Sequence, residues 1–238
     1  MTALIENEQP RLEVKLACSR QSHPSILSAI RSGPVPIRPL HPTRVVNSLY
    51  FDTHDGQALA ENLSGQSNRK KYRLRWYGHT QSPEAPVLEC KIRENRFGTK
   101  KRLALGTPIH LLDCDHSTFM KTLLRQCTLE WQDQLRDKVP VQWISYERAY
   151  FSTWDEQIRI TVDRDLEAYD QRFSPTLTRM HRTPAPDLTI IELKAPPECE
   201  RDIQKIVANL PADVDKCSKF VLASSPSQAP TPSFWEYV

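Results

Sequence analysis

Lys71-Tyr72-Arg73-Leu74-Arg75-Trp76 sets three cations on one face of an extended chain and Tyr, Leu and Trp on the other. Successive strand side chains point to opposite sides, so this alternation predicts a β-strand with one charged and one apolar face. The pattern recurs in both directions along the chain. Arg11-Leu12-Glu13-Val14-Lys15-Leu16, Leu88-Glu89-Cys90-Lys91-Ile92-Arg93, Ile158-Arg159-Ile160-Thr161-Val162-Asp163 and Ile190-Ile191-Glu192-Leu193-Lys194 repeat it. With Arg44–Asp52, Lys100–Leu105 and Ile144–Phe151, about eight strands are predicted. Turn residues at Tyr77-Gly78-His79 and Ser82-Pro83-Glu84 separate some of them.

An ordinary half-buried strand carries small polar residues on its wet face. Here that face is dense in Arg, Lys and Glu, and a flat sheet would lay like charges side by side across neighbouring strands. Two architectures answer the pattern. One is a sheet with its charged face to solvent. The other is a barrel with the charged face turned inward and helices over the apolar exterior. Helical cover is available from Pro24–Arg31, Asp115–Gln126, Glu130–Lys138 and Glu198–Leu210, the last with Ile203, Ile206, Val207 and Leu210 at helical spacing.

Charge is distributed unevenly. Residues 69–102 hold eleven basic and three acidic residues, net +8, within a chain of 238 residues whose total is +3. Such a block predicts a polyanionic partner unless it is merely solvated surface. The six glycines are scattered, with no two in a G-x-G, which excludes the glycine loops that cradle phosphate with backbone amides. A phosphate ligand must therefore meet side chains. The six cysteines form no CxxC, the seven histidines no HxH or HExxH, and no apolar run reaches the ~20 residues of a membrane span. The acidic N-terminal decapeptide does not read as a secretory signal, so a cytoplasmic location is expected.

The ordered motifs RLEVKL (11–16), SLYFDT (48–53), KYRLRWYG (71–78), LECK (88–91), TKKR (99–102), SYERAYF (145–151), IRITVDRDL (158–166), IELK (191–194) and KCSKF (216–220) resemble the vacuolar transporter chaperone (VTC) domain. That family is the polyphosphate polymerase branch of the triphosphate tunnel metalloenzymes, also called CYTH-like. The resemblance implies an α+β fold: an eight-stranded antiparallel tunnel barrel with a charged interior and helices packed outside. It spans residues 8–223, leaving a Pro/Ser-rich tail at 224–238.

Carried over residue by residue, the resemblance implies catalytic cations at Lys15, Arg73, Arg75, Lys91, Lys101, Arg148 and Arg159. It implies substrate-binding residues at Lys194, Lys216, Lys219, Arg11 and Lys100, and a divalent metal, Mn²⁺ or Mg²⁺, on Glu192 and Glu13. Strand parity leaves open which of Lys100 and Lys101 faces inward. Hydrolytic relatives begin with E-x-E-x-K; this chain has Arg11 at the first position, which favours the polymerase branch. The implied activity is transfer of the γ-phosphoryl group of ATP or another nucleoside triphosphate to a growing polyphosphate or pyrophosphate acceptor. The alternatives are a triphosphatase of the same fold and a polyphosphate-binding module without turnover. Family membrane proteins carry transmembrane helices beside this domain, so a separate membrane partner would be needed for translocation.

The residue types suit that chemistry. Arg grips phosphate oxygens in pairs and Lys meets them as a point charge. Arg73 and Arg75 lie two residues apart on one face, roughly 6.5–7 Å between Cα atoms, a spacing that matches neighbouring phosphates in a chain. Phosphoryl transfer needs alignment and charge stabilisation above all. A terminal phosphate oxygen is already ionised, whereas water needs a base. Glu89 and Asp163 read as ion-pair partners that hold tunnel cations in place. Tyr72 and Trp76 sit opposite the cations, which argues against nucleic acid, where stacking and phosphate contact must share a surface.

Overall fold

The apolar faces of the alternating strands seek cover, and their burial fixes the architecture. In the computed structural model, which describes residues 4–6, 11–79, 82–94, 97–215 and 217–224, the burial of residues 71–76 alternates as their chemistry does. Tyr72, Leu74 and Trp76 are buried, and Lys71, Arg73 and Arg75 are only partly covered. Eight long strands carry the pattern: β2 (Leu12–Ser19), β3 (Ile37–Asp52), β4 (Asn68–Tyr77), β5 (Val87–Glu94), β6 (Phe97–Ala104), β7 (Val139–Thr153), β8 (Arg159–Asp170) and β10 (Leu188–Ala195). Three short ones, β1 (Leu4–Glu6), β9 (Arg182–Thr183) and β11 (Asp213–Val214), bring the sheet to eleven.

All pairings are antiparallel, in the order β1-β6-β5-β4-β3-β7-β8-β10-β2-β11, with β9 on β8. The expected eight strands are present. The sheet departs from the expected barrel in that, among the described residues, its hydrogen-bonded path does not close on itself. It curls instead, and side chains bridge the gap.

The longer helices sit outside the curl, as expected of an α+β tunnel. α3 (His116–Arg125) and α4 (Leu129–Gln134) bring Phe119, Leu123 and Trp131 onto Leu49, Phe51, Tyr72, Leu74, Trp76, Leu88, Cys90 and Leu103. Trp76 meets Trp143 edge to face at 5.2 Å, a pairing worth about 0.5–1.5 kcal/mol beyond its area. α1 (His23–Ser32) and α5 (Glu200–Asn209) cover the other half, packing Ile26, Ile30, Ile203 and Ile206 on Leu16, Ile160, Val162, Ile191 and Leu193. α4 stops at Gln134, short of the Lys138 expected, and α2 (Gln57–Leu63) is an addition whose Ala58 and Leu59 amides are bonded by Asp52.

Two features were not foreseen. β8 holds an extra residue opposite Tyr146, with Asp165 in the left-handed region at φ 53°. The bulge switches the inward positions of β8 from odd to even, so that Asp163 and Ala168 both face the interior. Second, α6 (Lys219–Ser224) lies inside the curl. Its Phe220 stacks on Tyr50 at 4.9 Å, and Phe220 and Ala223 join Val46, Ile144 and Tyr146 in an apolar cluster that fills one end.

Candidate functional site

The interior of the curl is lined by the charged faces, and its residues form a nearly continuous circuit of contacts. On β5, Glu89 is the most enclosed carboxylate of its half, with its side chain 5% exposed. It takes Arg73 and Lys100 at 2.6 Å each, Arg102 at 3.4 Å and Arg75 at 3.8 Å. Strand register explains this, since Arg73 and Arg102 are its direct partners on β4 and β6. Burial works against the Glu89 charge, but Arg73, Arg75 and Lys100 overcome it and hold its pKa well below the usual carboxylate range.

Across the interior, Arg148 on β7 forks onto Asp163 at 2.6 and 2.7 Å, and Lys219 meets the same carboxylate at 2.6 Å. Asp163 is depressed in the same way, its burial outweighed by Lys219 and Arg148. Arg148 also approaches Glu192 at 3.9 Å, and Lys194 reaches Glu192 at 3.2 Å and Glu13 at 3.7 Å. Lys15 binds Glu13 at 2.8 Å, and Lys91 stands 3.8 Å from Glu13, joining β5 to β2. Tyrosine hydroxyls complete the circuit: Arg73 donates to Tyr50 and Arg75 to Tyr146.

Lysines here differ in state according to their company. Burial works against the charge of Lys15, but Glu13 and Glu192 raise its pKa. Lys100 is lowered to about 8 by burial and by Arg73 and Arg75, against the pull of Glu89. Lys71 is lowered to about 7, by burial first and then by Lys91, Arg69, Lys15 and Arg73. Arg75 Nε, Ser48 Oγ and Thr161 Oγ1 are buried without a hydrogen-bond partner. Three orphaned polar atoms on inward positions of β4, β3 and β8 suit a cavity that receives water or ligand oxygens.

The interior thus brings together Lys15, Arg73, Arg75, Lys91, Lys100, Arg148, Lys194, Lys219, Glu13 and Glu192. Arg159 is exposed at the start of β8, opposite Lys194, and Arg11 is exposed just before β2. Lys101 is a correction. Its Nζ points outward to Glu130 of α4 at 2.6 Å, because the β5–β6 register pairs it with outward-facing Cys90 and pairs Lys100 with Lys91. Lys216 and residues 225–238 of the tail lie outside the described residues. Lys71, Arg102, Tyr50, Tyr146 and Ser218 also reach the interior, although the motifs did not single them out. Lys71 shares the strand parity of Arg73, so the alternation already carried that signal.

Glu13 and Glu192 are neighbouring hard oxygen donors, bridged by Lys194. Among the described residues no group of three or more His, Cys, Asp or Glu is placed to hold a metal. Two carboxylates are within the number that a hard divalent ion takes from protein when phosphate oxygens and water complete its shell. The six cysteines are free, and burial pushes Cys90 up to about 11, so it stays a thiol.

The VTC domain family model matches residues 5–225. The protein belongs to the VTC domain family. Three solved structures resemble this VTC domain in fold. A candidate adenylyl cyclase from Hippeastrum, described as having a dominant triphosphatase activity, is 17% identical at a TM-score of 0.58, covering 93% of this chain and 98% of that one. A candidate adenylate cyclase from Vibrio parahaemolyticus is 13% identical at 0.51, covering 92% and 100%. Another from Bacillus halodurans is 15% identical at 0.51, covering 94% and 95%. No curated protein matches in sequence. Among the described residues, no helix is long and apolar enough to cross a membrane.

Proposed function

We propose that this VTC domain is a metal-dependent polyphosphate polymerase that transfers the γ-phosphoryl group of a nucleoside triphosphate, ATP in the first instance, to the end of a phosphate chain. The observation that carries the reading is the engagement of four inward carboxylates by cations. Glu89, Asp163, Glu192 and Glu13 all accept from Lys or Arg. The first three are held ionised well below their ordinary range, against burial, by neighbouring cations. A carboxylate so stabilised is a weak base for water, whereas a terminal phosphate oxygen attacks without one. The family match supports the same direction.

In this reading Arg73 and Arg75 grip adjacent phosphates, and Arg148, Lys15, Lys91 and Lys100 neutralise charge on the transferring group and its neighbours. Lys194 and Lys219 extend the track. Glu192 and Glu13 hold a divalent ion, Mn²⁺ or Mg²⁺, which supplies Lewis-acid charge at phosphate oxygens. Leaving ADP departs as an already charged phosphate, so no general acid is required either.

The triphosphatase activity described for the Hippeastrum relative makes hydrolysis the second reading. Phosphorus NMR of the protein with ATP and Mn²⁺ or Mg²⁺ decides between them. Internal-chain phosphate signals growing with ADP support the polymerase. Orthophosphate alone moves the assignment to a triphosphatase, and tight polyphosphate binding without turnover reduces it to a binding module.

A further inference from the structure

The β4–β5–β6 wall carries a row of lysines: Lys71 is directly opposite Lys91, and Lys91 is directly opposite Lys100. Like charges placed so are unfavourable unless something neutralises them. Lys100 has Glu89, and Lys91 has Glu13 at longer range. Lys15, Lys194 and Lys219 also pair with carboxylates. Lys71 makes no ion pair among the described residues. Its Nζ donates to Ser218 Oγ at 3.1 Å and lies 6.0 Å from the centre of the Phe220 ring.

We infer that Lys71 and the Ser218 hydroxyl form a phosphate subsite at the α6 end of the interior, where binding of the anion is coupled to uptake of a proton by the Lys71 amine. The inference rests on the interior being a phosphate channel and adds to it a site and a proton.

The surroundings of Lys71 explain the coupling. From its own strand it faces Arg69 and Arg73, from β5 Lys91, and from β2 Lys15, all cationic. From the α6 side it meets the neutral Ser218 and Phe220. On β3 the next inward candidate is Asp52, but its oxygens serve the amides of Thr53, Ala58 and Leu59. The carboxylates of β2 and β5 are engaged elsewhere, Glu13 by Lys15 and Lys91 and Glu89 by Arg73 and Lys100, so the desolvation of an ammonium at Lys71 is not offset and the amine titrates near 7. A phosphate oxygen at Ser218 supplies the missing negative charge and draws the proton from solvent. The amine becomes an ammonium, no other bond is made or broken, and Ser218 keeps its own proton to donate to the anion.

Calorimetry with inorganic tripolyphosphate, without metal, in buffers of different ionisation enthalpy reads the proton directly. Wild type is expected to take up about half a proton more at pH 7 than Lys71→Arg, and close to one more at pH 8, as linkage requires for a group near 7. The permanently charged arginine keeps affinity within about threefold, whereas Lys71→Met weakens it about tenfold. Equal proton uptake in wild type and Lys71→Arg overturns the inference while leaving the channel intact. No binding by wild type overturns the channel reading itself. Should the variants misfold, NMR of lysine-labelled wild type replaces them: one side-chain signal must titrate near pH 7 and lose that step with tripolyphosphate, and its absence overturns the assignment.

Discussion

Lys91 Nζ stands 3.8 Å from Glu13 Oε2, although β4, β3, β7, β8 and β10 lie between their strands in the sheet. That contact marks where the curl of the sheet meets itself, without a hydrogen-bonded seam among the described residues. Two inward positions of β5 differ in access to water: the Lys91 side chain is 53% exposed, whereas Glu89 is 5% exposed. Glu89 therefore acts as an internal counterion that keeps Arg73, Arg75 and Lys100 gathered, and the open positions remain for a ligand.

Removing that counterion should expose the repulsion it screens. In Glu89→Gln the carboxamide carries no charge to offset its neighbours, and breaking a buried ion cluster on one side costs about 3–5 kcal/mol. Thermal melts should show a large fall in Tm, with much of it regained on adding tripolyphosphate, because the anion replaces the lost charge. An unchanged Tm would refute the counterion role.

Neighbouring lysines provide a sharper test of orientation. Lys100 faces Glu89 and the interior, and Lys101 faces Glu130 and the outer helix. Lys100→Ala should lower turnover about a hundredfold, the scale of losing one transition-state charge contact. Lys101→Ala removes a half-exposed pair worth about 0.2–1 kcal/mol and should leave turnover within about twofold. Steady-state rates of both variants on ATP check the assignment, and a reversed order would mean that β6 is in the opposite register.

The eight long strands were legible because charge and hydrophobicity alternate with the same period as the pleat, and Tyr72, Leu74 and Trp76 are buried as that period requires. The choice between Lys100 and Lys101 was not legible. Two adjacent lysines fit either parity, and only pairing with Lys91 and Cys90 on β5 decides it. α6 was hidden for a related reason: its six residues have no amphipathic repeat of their own, and their placement depends on Phe220 finding Tyr50 across the chain. The bulge at Asp165 likewise left no mark in IRITVDRDL beyond an Asp, a residue that tolerates the left-handed region.

Protonation gives the ligand-free protein an uncommon pH profile. Lys71 and Lys100 titrate near 7 and 8 in the fold, below the ordinary lysine value of about 10.4. Between those values the unfolded chain binds more protons than the folded one, so stability rises with pH. The depressed carboxylates Glu89, Asp163 and Glu192 act at the other end: their contribution is present above about 4.3 and is lost as pH falls below it. Melts should show Tm climbing from pH 7 toward 8.5, at roughly 2–4 °C per kcal/mol for a chain of this size, before the raised thiols of Cys90, Cys127 and Cys217 act in the opposite sense at higher pH. In Lys71→Met the climb should be shallower. A Tm that falls steadily over that range in wild type would contradict the lowered lysines.

Glu192 carries the metal hypothesis, and the isosteric Glu192→Gln separates its electrostatic roles. The wild-type carboxylate meets Lys194 at 3.2 Å and Arg148 at 3.9 Å, and Arg148 retains its forked pair with Asp163 when Glu192 is neutralised. The fold should survive on that account, as circular dichroism would show. Tripolyphosphate affinity without metal should hold or rise slightly, since one negative charge leaves an interior that already favours anions. Turnover with Mn²⁺ or Mg²⁺ should fall by at least about a hundredfold, because Glu13 alone leaves a divalent ion a single protein carboxylate. Full metal-dependent turnover in a folded Glu192→Gln protein would remove Glu192 from the metal site. Loss of metal-free tripolyphosphate binding would instead make it part of the anion track's architecture.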